Sequence, residues 1–291
     1  LRSLVGSEMC IRDRYRDMQK RTGGEIYIGV VGPVRTGKST FIKRFMDVAV
    51  LPYMEDAAQK TRAQDELPQS AGGRTITTTE PKFIPQEAVE LKLAGEVTIR
   101  VRLVDCVGFM VEGAAGHLED GAERLVKTPW YDHEIPFTQA AELGTRKVIT
   151  DHSTIGVVVT TDGSFSDLPQ ETYLDAENQA ISELKKLHKP FLVLVNSSHP
   201  SSRTAREAAE RIEKQHSVTA MPVNCAQLSE EDIRQIMEQI LYEFPVSRVE
   251  FYMPKWVEML PFSHPLKTGL IEKIRELTGK IRTIRDVAEH P

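Results

Sequence analysis

An α/β fold, with a mostly parallel sheet covered by helices on both faces and a helical extension at the C-terminal end, is predicted by three observations. Short β-branched runs alternate with amphipathic helical segments from Glu25 onward. A glycine-rich turn joins the first of these runs to the first helix. After Phe244 the alternation stops and the pattern changes, ending in a charged amphipathic helix.

The elements come in this order. Residues 1–20, which include "LRSLVGSEMCIRDR", carry no periodicity that joins them to the strand beginning at Glu25, and they are expected to be a non-native or disordered leader. "EIYIGVV" reads as a buried strand, followed by a helix over residues 38–50. A long polar connection, "EDAAQKTRAQDELPQSAGGRTITTTEP", comes next and is expected to be irregular. "KFIPQEAVELKLAG" and "EVTIRVRLVDCVG" alternate apolar and polar residues, as neighbouring strands do. Residues 109–137, with "KTPWYDHEIP", are expected to be a second irregular region. Three strand–helix units come after it. "STIGVVVTT" precedes a helix over 171–188, "KPFLVLVN" one over 203–215, and "TAMPVNC" one over 230–242. The tail, "PVSRVEFYMPKWVEML" and "LIEKIRELTGKIRTIRDVAEH", has a different texture.

Composition narrows the function. The 291 residues are 40% apolar, enough for a substantial core. Lys and Arg number 37 against 42 Asp and Glu, and a net charge of -5 argues against a nucleic-acid partner. No apolar run approaches a membrane span, so any membrane contact is expected at a peripheral surface only. Cys10, Cys106 and Cys225 are far apart, in no CxxC pair, and the histidines lack an HxxxH spacing. That pattern disfavours a disulfide framework or a zinc site and suits a reducing cytoplasm.

The chemistry begins at "GPVRTGKS", Gly32 to Ser39, a full match to G-x-x-x-x-G-K-[ST] between a strand and a helix. Such a loop turns backbone N–H groups inward around a β-phosphate, aided by the positive end of the helix. Gly32, Pro33, Val34, Arg35, Thr36, Gly37, Lys38, Ser39 and Thr40 are therefore assigned to a nucleotide. Lys38 reaches its β- and γ-phosphates, and the Ser39 hydroxyl binds Mg²⁺. "RVRLVDCVG" sets Asp105 at a strand end, where a carboxylate holds magnesium through water, and Gly108 offers an N–H to a γ-phosphate. Between the two motifs, "RTITTTEP" supplies Thr75, Thr77, Thr78 and Thr79, in the interval where a switch threonine closes over magnesium and γ-phosphate. Threonine also favours strands, which leaves a plain strand as the other reading. Where many GTPases carry a water-orienting glutamine, this chain has Phe109; a threonine hydroxyl, Glu66 or Gln69 is left to position the water, and turnover is expected to be slow.

The base-reading strand separates ATP from GTP. Guanine recognition needs N-K-x-D, the aspartate gripping the guanine N1 and N2 donors. "FLVLVNSSHP" keeps Asn196 but has Ser197, Ser198 and His199 after it. A site that loses a base's hydrogen-bond partner forfeits its discrimination. ATP, with Mg²⁺, is the expected cofactor.

Taken together, "GPVRTGKST", "AQDELPQSAGGRTITTTEPKF", "LVDCVG" and "TPWYDHEIPF" closely resemble the stage IV sporulation protein A family, the coat morphogenetic ATPases of endospore-forming bacteria. The resemblance runs from about Arg21 to the C-terminus. It implies a P-loop NTPase of GTPase-like (TRAFAC-type) architecture over residues 21–246, with residues 247–291 as the start of a truncated second domain. It implies ATP hydrolysis that drives self-assembly into a polymer, the basement layer of the spore coat. The implied place is the mother-cell cytoplasm, at the outer forespore membrane surface. Implied partners are the protein itself, coat proteins and a small membrane-bound amphipathic peptide that anchors the coat. Carried over by position, Lys38, Thr78, Thr79 and Asp105 form the catalytic set, and Ser39, Thr79 and Asp105 the metal set. A regulatory GTP-binding protein with relaxed base specificity and a nucleotide-binding scaffold without turnover are the rival readings.

Overall fold

The computed structural model describes residues 25–54, 56–68, 81–93, 97–114, 118–119, 122–166, 168–246 and 253–289. The expected leader, residues 1–20, lies outside them, as do Gln69, Thr75, Thr77, Thr78 and Thr79. The chain divides into two units, residues 1–239 and 240–291.

In the first unit, β1 (Glu25–Val31) leads through the glycine-rich loop into α1 (Lys38–Phe45). A π-helical turn (Met46–Val50) and a 3-10 turn (Leu51–Tyr53) prolong this helix past the expected end. Pro52 cannot sit inside a regular α-helix, because it lacks an N–H and its ring meets the carbonyl four residues back; it closes the segment here. The connection expected to be irregular contains α2 (Ala57–Asp65). The Asp56 carboxylate caps it, accepting from Ala58 N at 2.8 Å and Gln59 N at 3.4 Å. Only Ala63 of α2 is buried, so propensity and a cap form this helix without an apolar stripe to betray it.

β2 (Lys82–Leu93) and β3 (Val97–Asp105) are the two neighbouring strands that the alternation predicts, and they pair antiparallel. The second region expected to be irregular holds two short hairpins, β4 (Leu118–Glu119) with β5 (Ala122–Glu123) and β6 (Leu125–Thr128) with β7 (Tyr131–Pro136). It ends in α3 (Phe137–Lys147), a helix that the sequence pattern does not predict. The buried face of α3 is Phe137, Ala140, Ala141, Gly144 and Thr145. Small residues carry little hydrophobic signal, so this face is quiet in sequence while it packs closely.

A π-helical turn (Val148–His152) then feeds β8 (Ile155–Thr161), all seven of whose residues are buried. A strand covered on both faces belongs at the centre of a parallel sheet. After it come α4 (Leu174–Lys186, entered by a 3-10 turn), β9 (Phe191–Asn196), α5 (Arg203–His216), β10 (Ala220–Val223) and α6 (Glu230–Tyr242). These helices agree with the sequence expectation to within a turn.

The sheet order is β10-β9-β8-β1-β3-β2, parallel except for the edge strand β2. The chain moves from β1 to β3 in one direction and from β3 back across β1 to β8 in the other. With right-handed crossovers, that reversal puts helices on both faces. On one face, Arg44 of α1 donates to the Leu228 carbonyl just before α6 at 2.7 Å, and Tyr53 to Glu230 at 2.5 Å. On the other, Val148, Ala180, Leu184, Ala209 and Ile212 share a core with Val158 and Val193. The crevice at the carboxyl ends of β1 and β3, where the order reverses, is where an open α/β sheet takes its ligand. The architecture is the expected P-loop NTPase α/β fold.

The second unit contains α7 (Lys255–Glu258), α8 (Pro265–Lys280) and α9 (Ile284–Glu289). Lys267 donates to the carbonyls of Glu258 at 2.9 Å and Leu260 at 2.8 Å, closing the end of α7 with a cation. Pro245 bridges Thr283, and Arg285 pairs with Glu243 at 2.8 Å. Among the described residues, no helix is long and apolar enough to cross a membrane.

Candidate nucleotide-binding site

The loop after β1 is held from three sides. The Phe109 N–H donates to the Gly32 carbonyl at 3.0 Å and the Val34 N–H to the Phe109 carbonyl at 2.9 Å, zipping the loop to the chain that leaves β3. The Thr36 hydroxyl lies 2.7 Å from the Val159 carbonyl on β8 and 3.0 Å from the Pro33 carbonyl. From β9, Asn196 Nδ2 donates to the Thr36 carbonyl at 3.0 Å. Its Oδ1 accepts the Cys225 N–H at 3.0 Å, so one buried amide ties the loop to the β10–α6 connection.

Inside that frame, Val34 and Thr36 are buried, while Arg35 is exposed at the loop apex with φ 62. Gly37 caps α1 at φ 94, and a Cβ there would stand 2.3 Å from Asn196 Nδ2, so the position admits only glycine. Lys38, Ser39 and Thr40 form the first turn of α1, whose N–H groups have no carbonyl one turn back. Those donors and the helix dipole favour an anion.

Lys38 is buried and its Nζ donates to the Pro33 carbonyl at 2.5 Å. Register places Asp105, the last residue of β3, beside Val30. Asp105 Oδ2 accepts the Ser39 hydroxyl at 3.1 Å, while Oδ1 is shut off from solvent with no hydrogen-bond partner. Burial lowers the pKa of Lys38 against the pull of Asp105, and burial raises that of Asp105 against Lys38 and the Ser39 hydroxyl. The ammonium is short of negative charge and the carboxylate of positive charge. A site completed by phosphates and a divalent cation has this character. Hard oxygen donors, one carboxylate and one hydroxyl, with an unused carboxylate oxygen, fit Mg²⁺, which usually takes few protein ligands beside phosphates. Among the described residues, no cluster of three or more His, Cys, Asp or Glu forms a metal site.

Gly108 comes close to the same point. At φ 102, a Cβ on it would lie 2.5 Å from Lys38 Nζ and 2.3 Å from the Gly32 carbonyl. Its N–H donates to Thr145 on α3 at 3.1 Å, a contact across 37 residues that no sequence signal announces. Cys106 is buried beside it and donates to the Val30 carbonyl at 3.4 Å; burial raises its thiol to about 11, which keeps it neutral. Phe109 sits fully in the core, so only its backbone serves the loop.

The structure thus brings Gly32 through Thr40, Asp105 and Asn196 together. It does not describe Thr78 or Thr79. Of the residues considered for positioning water, Glu66 accepts the Gln86 N–H of β2 at 2.9 Å and lines an open depression of about 420 Å³ with Lys82, Phe83 and Arg102. Lys82 is the register partner of Asp105. The turn after β9 is closed by hydroxyls: Ser198 N donates to Ser164 Oγ at 2.8 Å and His199 N to Ser197 Oγ at 3.0 Å.

Residues 9–245 match the family model for stage IV sporulation protein A, ATPase domain, and residues 246–290 that for the middle domain of the same protein. Stage IV sporulation protein A of Clostridioides difficile (strain 630) is 48% identical over 273 residues, and that of Bacillus subtilis (strain 168) 45% identical over 275. Each alignment covers 94% of this chain and 56% of the relative, so the chain spans little more than half the length of those proteins. Among solved structures, a complex of SsGBP with GDP aligns at 12% identity and a TM-score of 0.43, over 80% of this chain and 56% of that one, too loosely to inform function. On the strength of the family models and these relatives, the chain belongs to the stage IV sporulation protein A family.

Proposed function

We propose that this chain binds MgATP in the loop after β1 and hydrolyses its β–γ bond. The observation that carries the reading is the meeting of Lys38, Ser39, Asp105 and Gly108 at the carboxyl ends of β1 and β3. The loop and the first turn of α1 would hold the phosphates, with Lys38 at the β- and γ-positions. Ser39 and Asp105 would hold the magnesium, which supplies charge neutralisation on the transferred phosphoryl group. The β3 end fixes the Asp105 carboxylate, and the Gly108 N–H would serve as a donor to the γ-phosphate. Thr78 and Thr79 are proposed to sense nucleotide state, Thr79 also as a metal ligand. Asn196 acts here as a brace, and no carboxylate stands at His199 to grip guanine.

In the longer proteins of this family we infer that hydrolysis drives self-assembly into the coat basement layer. The setting is the mother-cell side of the outer forespore membrane, with coat proteins and a membrane-bound amphipathic peptide as partners. We assign the ATPase activity to residues 21–246 and treat 247–291 as the beginning of the next domain. Equilibrium binding of ATP and GTP, with and without Mg²⁺, tests the base assignment. ATP is expected to bind at least as tightly as GTP and to depend on Mg²⁺. A hundredfold preference for GTP would return the chain to the regulatory GTPases.

A further inference from the structure

The N–H of Gly108 is the donor that a strand-end D-x-x-G segment offers to a terminal phosphate, yet it faces another acceptor. It donates to Thr145 Oγ1 at 3.1 Å. Thr145 has no exposed surface, and its own hydroxyl proton goes to the Ala141 carbonyl one turn back at 2.8 Å. That donation fixes the hydroxyl rotor and leaves a lone pair aimed at Gly108. Gly108 also lies close against the loop and its lysine: a Cβ on it would stand 2.5 Å from Lys38 Nζ and 2.3 Å from the Gly32 carbonyl. A phosphate oxygen bound by both Lys38 and the Gly108 N–H therefore needs that N–H to turn from Thr145, which holds it here.

Resting on the reading of this loop as an ATP site, we propose that Thr145 is a positioning residue that holds the Gly108 N–H while no terminal phosphate is present and yields it to the γ-phosphate when ATP binds. One buried donor alternates between two acceptors, one of them on α3. Occupancy of the γ-position is thereby reported to the helix that comes after the two hairpins of residues 118–136. A phosphate sensor on the loop alone would need no such partner.

The test is the ratio of affinities for ADP and for a non-hydrolysable ATP analogue in the wild type, Thr145→Val and Thr145→Ser. Valine keeps the shape and removes the hydroxyl acceptor, leaving the Gly108 N–H with only the weak Cys106 sulfur beside it in the phosphate-free state. A buried donor so poorly paired is costly, so preference for the triphosphate analogue is expected to rise by roughly tenfold. Serine restores the acceptor and is expected to return the ratio to the wild-type value. An unchanged ratio in folded Thr145→Val, or an equal loss of both ligands, overturns the proposal. Should the valine variant fail to fold, the Gly108 amide resonance of the ¹⁵N-glycine-labelled wild type decides. It is expected to move with the ATP analogue and not with ADP; the same position with both contradicts the exchange. If the wild type binds neither nucleotide, the ATP reading itself fails and this proposal falls with it; binding of both with an unaltered ratio sinks Thr145 alone.

Discussion

Asn196 has a structural task that does not depend on a base. Its amide joins the Thr36 carbonyl to the Cys225 N–H, both at 3.0 Å and both out of solvent. A residue that braces the phosphate loop is needed whichever base hangs beyond it. Asn196→Ala strands the Cys225 donor and the Thr36 acceptor, a cost of about 1–3 kcal/mol. ATP and GTP affinities are expected to fall together in that variant, with a lower melting temperature. A loss confined to one nucleotide would make Asn196 a base reader. The residues of the loop were legible in sequence because the G-x-x-x-x-G-K-[ST] spacing dictates a backbone path, and Gly37 and Lys38 lie on it. Thr145 was not legible, because a threonine on a helix announces nothing about a glycine 37 residues earlier.

At the scale of elements, the chain leaving β3 is stitched to the loop through Pro33 and Phe109, and this changes what Phe109 means. In sequence it reads as a missing glutamine. In the structure its ring is fully buried and its backbone closes two hydrogen bonds with Gly32 and Val34. Phe109→Gln should therefore destabilise the protein by about 3 kcal/mol, by leaving a cavity and burying an amide. It should not raise the rate of ATP turnover, as restoring a water-orienting side chain would. Thermal melting and phosphate release measured together check both halves; faster turnover in a stable variant would refute the packing role. The strands were readable because their apolar residues are large and periodic, and the last three helices because charged residues mark the face opposite the apolar one, even in α5, where that face is Ala205, Ala208, Ala209 and Ile212. α2 and α3 escaped for opposite reasons. α2 buries almost nothing, and α3 buries mainly alanine, glycine and threonine, whose small side chains scarcely register as a hydrophobic stripe.

For the whole molecule, the proposed coupling of hydrolysis to assembly fixes an order of events. P-loop switches convert the γ-phosphate into order or rearrangement of adjacent segments, and residues 109–137 run directly from the Asp105–Gly108 corner. In a family member of full length, hydrolysis is expected to precede polymerisation, so light scattering should lag phosphate release. Assembly supported equally by a non-hydrolysable analogue would break that coupling. The site bears on hydrolysis more directly: Lys38 and Asp105 are buried at one point, burial lowering the pKa of the first and raising that of the second, which suits the MgATP proposed there. The most direct measurement is phosphate release from ATP by the chain itself, compared with Lys38→Ala and with Mg²⁺ chelated. Release is expected from the wild type, with a loss of roughly a hundredfold or more in the variant and on chelation. Release that survives both, or a wild type that binds ATP and never cleaves it, would contradict the account.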